Sequence, residues 1–159
     1  ELNGQELTQL PTWMESWAEF KTRNPAGLVM AEPNWPRNYD ANPYRNYDSS
    51  RSPFLYNGEN PPNGVPPLVR VVRLGDRAWP LTRLAQNPKI REAGVELTWA
   101  AGQASALDSG RIADGKDVGT VRVRDVETGQ NVPHDVMFAF AFHAFWPDGQ
   151  WMIGMDLQK

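Results

Sequence analysis

The chain has 159 residues, a formal net charge of -3 from 16 basic and 19 acidic residues, and no cysteine. The lack of thiols excludes disulfides, thiolate catalysis and zinc sites built on cysteine, and the interspersed charge offers no basic stripe for nucleic acid. No apolar run approaches the roughly 20 residues that span a bilayer, and 14 prolines with 13 glycines predict much loop.

The opening Glu1-Leu2-Asn3-Gly4 lacks both an initiator Met and a signal-peptide core and reads as a processed or truncated start. Thr12 and Glu15 have capping-box spacing, which predicts a helix from Pro11 to Arg23. Trp13, Trp17 and Phe20 recur at helical spacing as a core-facing stripe, and Asn24-Pro25 stops the helix. Leu28-Val29-Met30 suits a short buried strand.

From Glu32 to Pro67 most of the prolines alternate with aromatic residues and aliphatic periodicity is absent, which predicts a long loop ordered by its buried rings. Inside it Arg37-Asn38-Tyr39-Asp40 recurs as Arg45-Asn46-Tyr47-Asp48, with Asn42-Pro43-Tyr44 between the copies.

Leu68 to Leu74 and Arg77 to Leu81 flank Gly75-Asp76 as a hairpin, with Pro80 limiting the pairing of the second strand. Val95 to Trp99 and Val118 to Val123 read as further strands, and Glu127 to Gln130 as a turn. Pro133 opens a second helix whose stretch Val136 to Phe145 is apolar nearly all round, and Gln150 to Met155 suits a last edge strand. The fold class that follows is α+β. It has a mostly antiparallel β core, two principal helices at about 11–23 and 133–145, and a loop at about 32–67, in one domain over 1–159.

Three catalytic patterns fail on their own chemistry. Gly110 to Asp117 has phosphate-loop spacing, but Asp117 stands where a hydroxyl should bind Mg²⁺, Asp114 adds repulsion, and a strand follows where a helix N-terminus is required. His134 and His143, nine residues apart in one predicted helix, would point to opposite faces and share no metal. No serine lies in a Gly-x-Ser-x-Gly turn. What remains is the repeat, where Asp40 and Asp48 sit beside Tyr39 and Tyr47, a composition that suits a sugar ring or a Ca²⁺ ion. Turn-forming acids paired locally with Arg37 and Arg45 are the alternative.

Several segments in order are similar to the bacterial domain-of-unknown-function family 3179. They are Leu10-Pro11-Thr12-Trp13 with Trp17 to Phe20 and Asn24-Pro25, Arg37 to Asp40 with Asn42-Pro43-Tyr44, Ala78-Trp79-Pro80-Leu81, Gly102 to Asp108, Lys116 to Gly119 and Phe138 to Phe145. The resemblance implies that members are often longer and exported, with a Tyr-Cys-Pro-Leu-Cys run in an earlier half. This chain resembles the later half and is read as the C-terminal part of a longer two-repeat protein. Its Leu97-Thr98-Trp99-Ala100-Ala101 looks like a cysteine-free copy of that motif, so no redox or metal role carries over.

The function expected is that of a non-catalytic extracytoplasmic binding or accessory module, with no cofactor and no metal, whose partner is a small ligand or a protein. The candidate binding residues are Trp35, Arg37, Tyr39, Asp40, Tyr44, Arg45, Tyr47, Asp48 and His143. The alternative is a hydrolase-like enzyme acting on a polar or carbohydrate substrate through Asp40 and Asp48.

Overall fold

The computed structural model describes residues 3–6, 8, 12–36 and 42–154. Two sheets carry the fold, one of four strands and the other a three-stranded meander. The hairpin is β1 (Arg70–Leu74) and β2 (Arg77–Pro80), closed by a turn in which Gly75 takes a φ of 60°. Such a positive φ suits a residue without Cβ. Pro80 stands opposite Val71 as the last residue of β2, where a missing N–H costs least.

Strand β6 (Asp135–Phe138) pairs antiparallel with the free edge of β1, and β7 (Gln150–Trp151) lies parallel to β2. The second sheet comprises β3 (Lys89–Glu92), β4 (Val95–Ala100) and β5 (Thr120–Asp125), all antiparallel. The architecture is the expected α+β fold.

Strand alternation divides the interior in two. Successive residues of β1 point to opposite faces. Val72 therefore joins Trp79, Leu84, Leu97, Val121 and Val123 in the core shared by the two sheets. Val71 faces the other way, with Ala78, Ala139 and Phe142. The first core is closed by α2 (Leu81–Gln86), which buries Leu81 and Leu84, and the second by α3 (Ala139–Phe145).

Trp79 is fully buried and donates its indole N–H to Glu92 Oε2 at 2.9 Å. Arg83 grips the same carboxylate through both terminal nitrogens, at 2.8 and 2.9 Å, and donates to the carbonyl of Met152 at 2.8 Å. One polar cluster thus ties β2, α2, β3 and the segment after β7 together.

Several expectations are corrected. The first helix, α1, spans only Trp17–Arg23 and is capped by Ser16 with Glu19, not by Thr12 with Glu15. Both pairs have the required spacing, but Glu15 is drawn instead into ion pairs with Arg23 and Arg122. Trp13 lies between those two guanidinium groups, 4.4 and 4.5 Å from its ring. Glu19 also accepts from the Thr120 hydroxyl at 2.6 Å, so the segment is fastened to β5 by polar contacts. The aromatic stripe is not core: α1 buries no residue, and Trp17 stacks on Phe20 while half exposed.

Leu28-Val29-Met30 forms no strand and is exposed. The predicted helix at 133–145 is divided. Its first part is β6, taken by the open edge of β1, and only Ala139–Phe145 is helical. An apolar run reads the same for a buried strand and a buried helix. His134 and His143 therefore do not share a helix. Strand β3 and helix α2, both short, were not expected. Of the expected edge strand Gln150 to Met155, Gln150–Trp151 form β7, Met152 to Gly154 do not continue it, and Met155 lies outside the described residues.

Candidate functional site

Of the long loop's described rings, Tyr47 and Tyr56 pack as the composition predicts, whereas Trp35, Tyr44 and Phe54 stay exposed. Tyr47 lies 5.6 Å from the Phe138 ring and Tyr56 lies 4.9 Å from Phe140. Its one regular turn is a single 3-10 turn, Tyr47–Ser49, entered through Asn46 in the left-handed region at φ 65°. Asparagine tolerates that region better than most residues. The turn is fixed to a second loop, because the amides of Asn46 and Asp48 donate to the carbonyls of Asp108 and Leu107 at 2.6 and 3.1 Å. The side chain of Asn42 adds bonds to the carbonyls of Ala106 and Ser109 at 2.8 and 2.9 Å.

This docking carries Asp48 into the protein, where its side chain is 1% exposed. Arg70, at the start of β1, donates to Asp48 Oδ2 at 3.0 Å, and its Nη1 lies 2.9 Å from Oδ1, which is buried and accepts no hydrogen bond. The Ser105 hydroxyl donates to Oδ2 and accepts from Arg70 at 3.0 Å and from the Leu107 amide at 3.0 Å. The carboxylate and the hydroxyl are therefore engaged with each other and with one guanidinium. A buried charge needs such a set of partners to remain buried.

The loop that supplies Ser105 is pinned by the segment after the 3-10 turn Ile112–Asp114. Ser105 donates its amide to the Lys116 carbonyl at 2.8 Å, and Val118 donates to Gln103 at 2.8 Å. Asp117 accepts from the amides of Gly102, Gly119 and Gln103 at 2.8, 2.8 and 3.2 Å. Those backbone bonds, Gly102 first, hold its carboxyl below the ordinary 3.8 against the opposing effect of burial. The stretch with phosphate-loop spacing thus runs into β5 rather than a helix.

Above Asp48 lies a cleft of about 320 Å³, within the range of small-molecule sites. Its lining includes the apolar Pro66, Pro67, Leu81, Ala85 and Trp99. It also includes Asp117, Arg51 and Lys116, the last with its ammonium 3.4 Å from the Asp48 carbonyl and 3.9 Å from its Oδ2. A larger, open groove of about 880 Å³ is lined by Tyr44, Arg45, Tyr47, Phe54 and Leu55. Ser50 lines both.

Of the residues singled out from sequence, Tyr44, Arg45, Tyr47 and Asp48 come together here, Asp48 in the cleft and the others in the groove. Arg37, Tyr39 and Asp40 lie outside the described residues. Trp35 is 70% exposed and lines neither cavity. His143 is in α3, its Nδ1 buried without a partner and its ring 6.4 Å from Trp151, and it too lines neither cavity. Among the described residues no group of three or more His, Cys, Asp or Glu side chains could hold a metal.

Arg51, Arg70, Ser105 and Lys116 were missed. Ser105 and Lys116 stand in two of the segments that carry the family resemblance, Gly102 to Asp108 and Lys116 to Gly119. Those segments meet the Asn42-Pro43-Tyr44 segment through the bonds of Asn42 and Ser105. Their convergence was the available signal.

The profile of the family described as "Protein of unknown function (DUF3179)" matches residues 1–149, and the chain belongs to that family. No curated protein and no solved structure matches it.

Proposed function

We propose that this member of the DUF3179 family is a non-catalytic binding module that takes a small ligand carrying an anionic group in the cleft above Asp48. The observation that carries the reading is an imbalance of free charge. The acids are consumed internally, Asp48 by Arg70 and Ser105, and Asp117 by three backbone amides. Three cations, Arg51, Arg70 and Lys116, line the cleft against these two carboxylates; Lys116 is paired with Asp48 at 3.9 Å but half exposed, and among the described residues Arg51 has neither an ion pair nor a hydrogen-bond partner. A ligand anion would meet the unpaired Arg51 and the exposed ammonium of Lys116, while its apolar body would rest on Pro66, Pro67 and Trp99.

The same arrangement supports binding over turnover. The Ser105 hydroxyl is buried and spends its proton on Asp48, and neither histidine lines the cleft. The reading includes an extracytoplasmic location, which rests on the family resemblance alone; a secretion reporter fused to the full natural gene product that stays in the cytoplasm would count against it.

Calorimetric titration with a panel of small carboxylates and phosphates, each beside a neutral analogue, tests the site. An anion-dependent heat is expected, with affinity reduced about tenfold, or about 1.4 kcal/mol, in Arg51→Ala or Lys116→Ala. Equal response to anionic and neutral probes, or no heat with any of them, would refute the assignment.

A further inference from the structure

The 880 Å³ groove beside the cleft is not used by that reading, yet it holds two exposed aromatic rings of the loop. Tyr44 is 63% and Phe54 77% exposed, and Leu55, 83% exposed, is held at a φ of 56°. A leucine in the left-handed region is strained and persists only where its surroundings impose it. Here the Phe54 amide is fastened to the Tyr47 hydroxyl at 3.3 Å. The loop thus turns rings outward that simple burial would have turned inward. Arg45 lies among them, without a hydrogen bond or ion pair among the described residues.

We infer that cleft and groove form one trough, joined at Ser50, and that its ligand is an anionic oligosaccharide whose charged end lies against Arg51 and Lys116 and whose further rings stack on Tyr44 and Phe54 near Arg45. This rests on the binding reading above. The electron-rich faces of exposed tyrosine and phenylalanine suit the C–H faces of pyranose rings. The three cations, spread along the trough in a chain of net charge -3, suit a polymer with sparse carboxylates. Single-stranded nucleic acid also stacks on aromatic side chains, but its affinity depends on neutralising a phosphate at every nucleotide, and three cations are few for that task.

Titration of the full chain with glucuronate, a hyaluronan hexasaccharide with a carboxylate on every second sugar, cellohexaose and an oligothymidylate separates the outcomes. The hyaluronan hexamer is expected to bind at least about tenfold more tightly than the monomer and than cellohexaose. Tyr44→Ala and Phe54→Ala, both at exposed positions, should weaken the hexamer at least about threefold and leave the monomer unchanged, whereas Lys116→Ala should weaken both. Circular dichroism melts confirm that the variants fold. Monomer binding without any gain for the hexamer, a hexamer affinity indifferent to Tyr44 and Phe54, or tighter binding of the oligothymidylate or cellohexaose would overturn the extended trough while leaving the cleft reading in place. Loss of response to every anionic probe, monomer included, would remove both.

Discussion

Asp48 and Arg70 form an ion pair in which the carboxylate is 1% and the guanidinium 15% exposed, joining the long loop to the first strand of the hairpin across 22 residues of chain. Removing one partner of a buried pair strands the other charge, at about 3–5 kcal/mol. Asp48→Ala is therefore expected to lower the unfolding free energy by that amount, read as a lower urea midpoint at unchanged slope, and Asp48→Asn by less. In the double variant with Arg70→Ala the two losses should fall short of additivity, with a coupling of about 1–3 kcal/mol. Strict additivity would show that the pair does not act as a unit.

The cap of α1 separates two serviceable sequence signals. Ser16 accepts from the Glu19 amide at 3.2 Å, and Ser16→Ala should cost about 1 kcal/mol. Thr12 is exposed and lies outside the helix, so Thr12→Ala should stay within about 0.5 kcal/mol. Chemical denaturation of the two variants side by side decides between the positions.

Gly119 has a φ of 70°, and a Cβ built there would overlap the Trp99 indole, whose N–H donates to the Val118 carbonyl at 3.1 Å. Gly119→Ala meets both backbone strain and a ring that cannot yield without giving up that bond. A loss of more than about 1 kcal/mol is expected. Because Trp99 lines the cleft, the variant should also lose small-anion affinity, measurable in the same titrations as Lys116→Ala.

Acid sensitivity should trace partly to Glu92. Its hydrogen bond from Arg83, helped by that from Trp79 and opposed by partial burial, holds its carboxyl below the ordinary 4.5. A carboxyl with a folded value below its unfolded one binds fewer protons when folded. Its contribution is thus complete above about pH 4.5 and lost as the pH falls through the lower folded value. Stability measured downward from neutral pH should fall in that acid window, and Glu92→Gln should flatten the fall while lowering stability at pH 7. An acid limb unchanged by Glu92→Gln would assign it to other carboxylates.

What could be read in advance follows the range of the interactions. The β1–β2 hairpin was legible because Gly75-Asp76 and the alternating valines are local signals. The α1 boundary was not, since two capping boxes of equal merit stood four residues apart and the choice was made by Arg122, 107 residues from Glu15. Val136 to Phe138 became strand because the edge of β1 was open, which no local pattern announces. At the site, the repeat and its tyrosines drew attention to Tyr44, Arg45, Tyr47 and Asp48. Arg70, Ser105 and Lys116 reach Asp48 from 22, 57 and 68 residues away and carry no local mark of doing so. His143 attracted attention only by its rarity.

The placement of β6 and β7 has a consequence for how the chain matures during synthesis. The hairpin emerges first, but the strands that cover its two outer edges follow only after the entire β3–β5 meander has been made. Until then both flanks of the hairpin present unpaired amides and carbonyls to whatever is nearby, whereas the meander assembles from consecutive neighbours. A nascent chain arrested near Asn131 would therefore be a folded meander attached to an adhesive hairpin. The final twenty or so described residues serve as the closure that makes the newly synthesised protein safe to release.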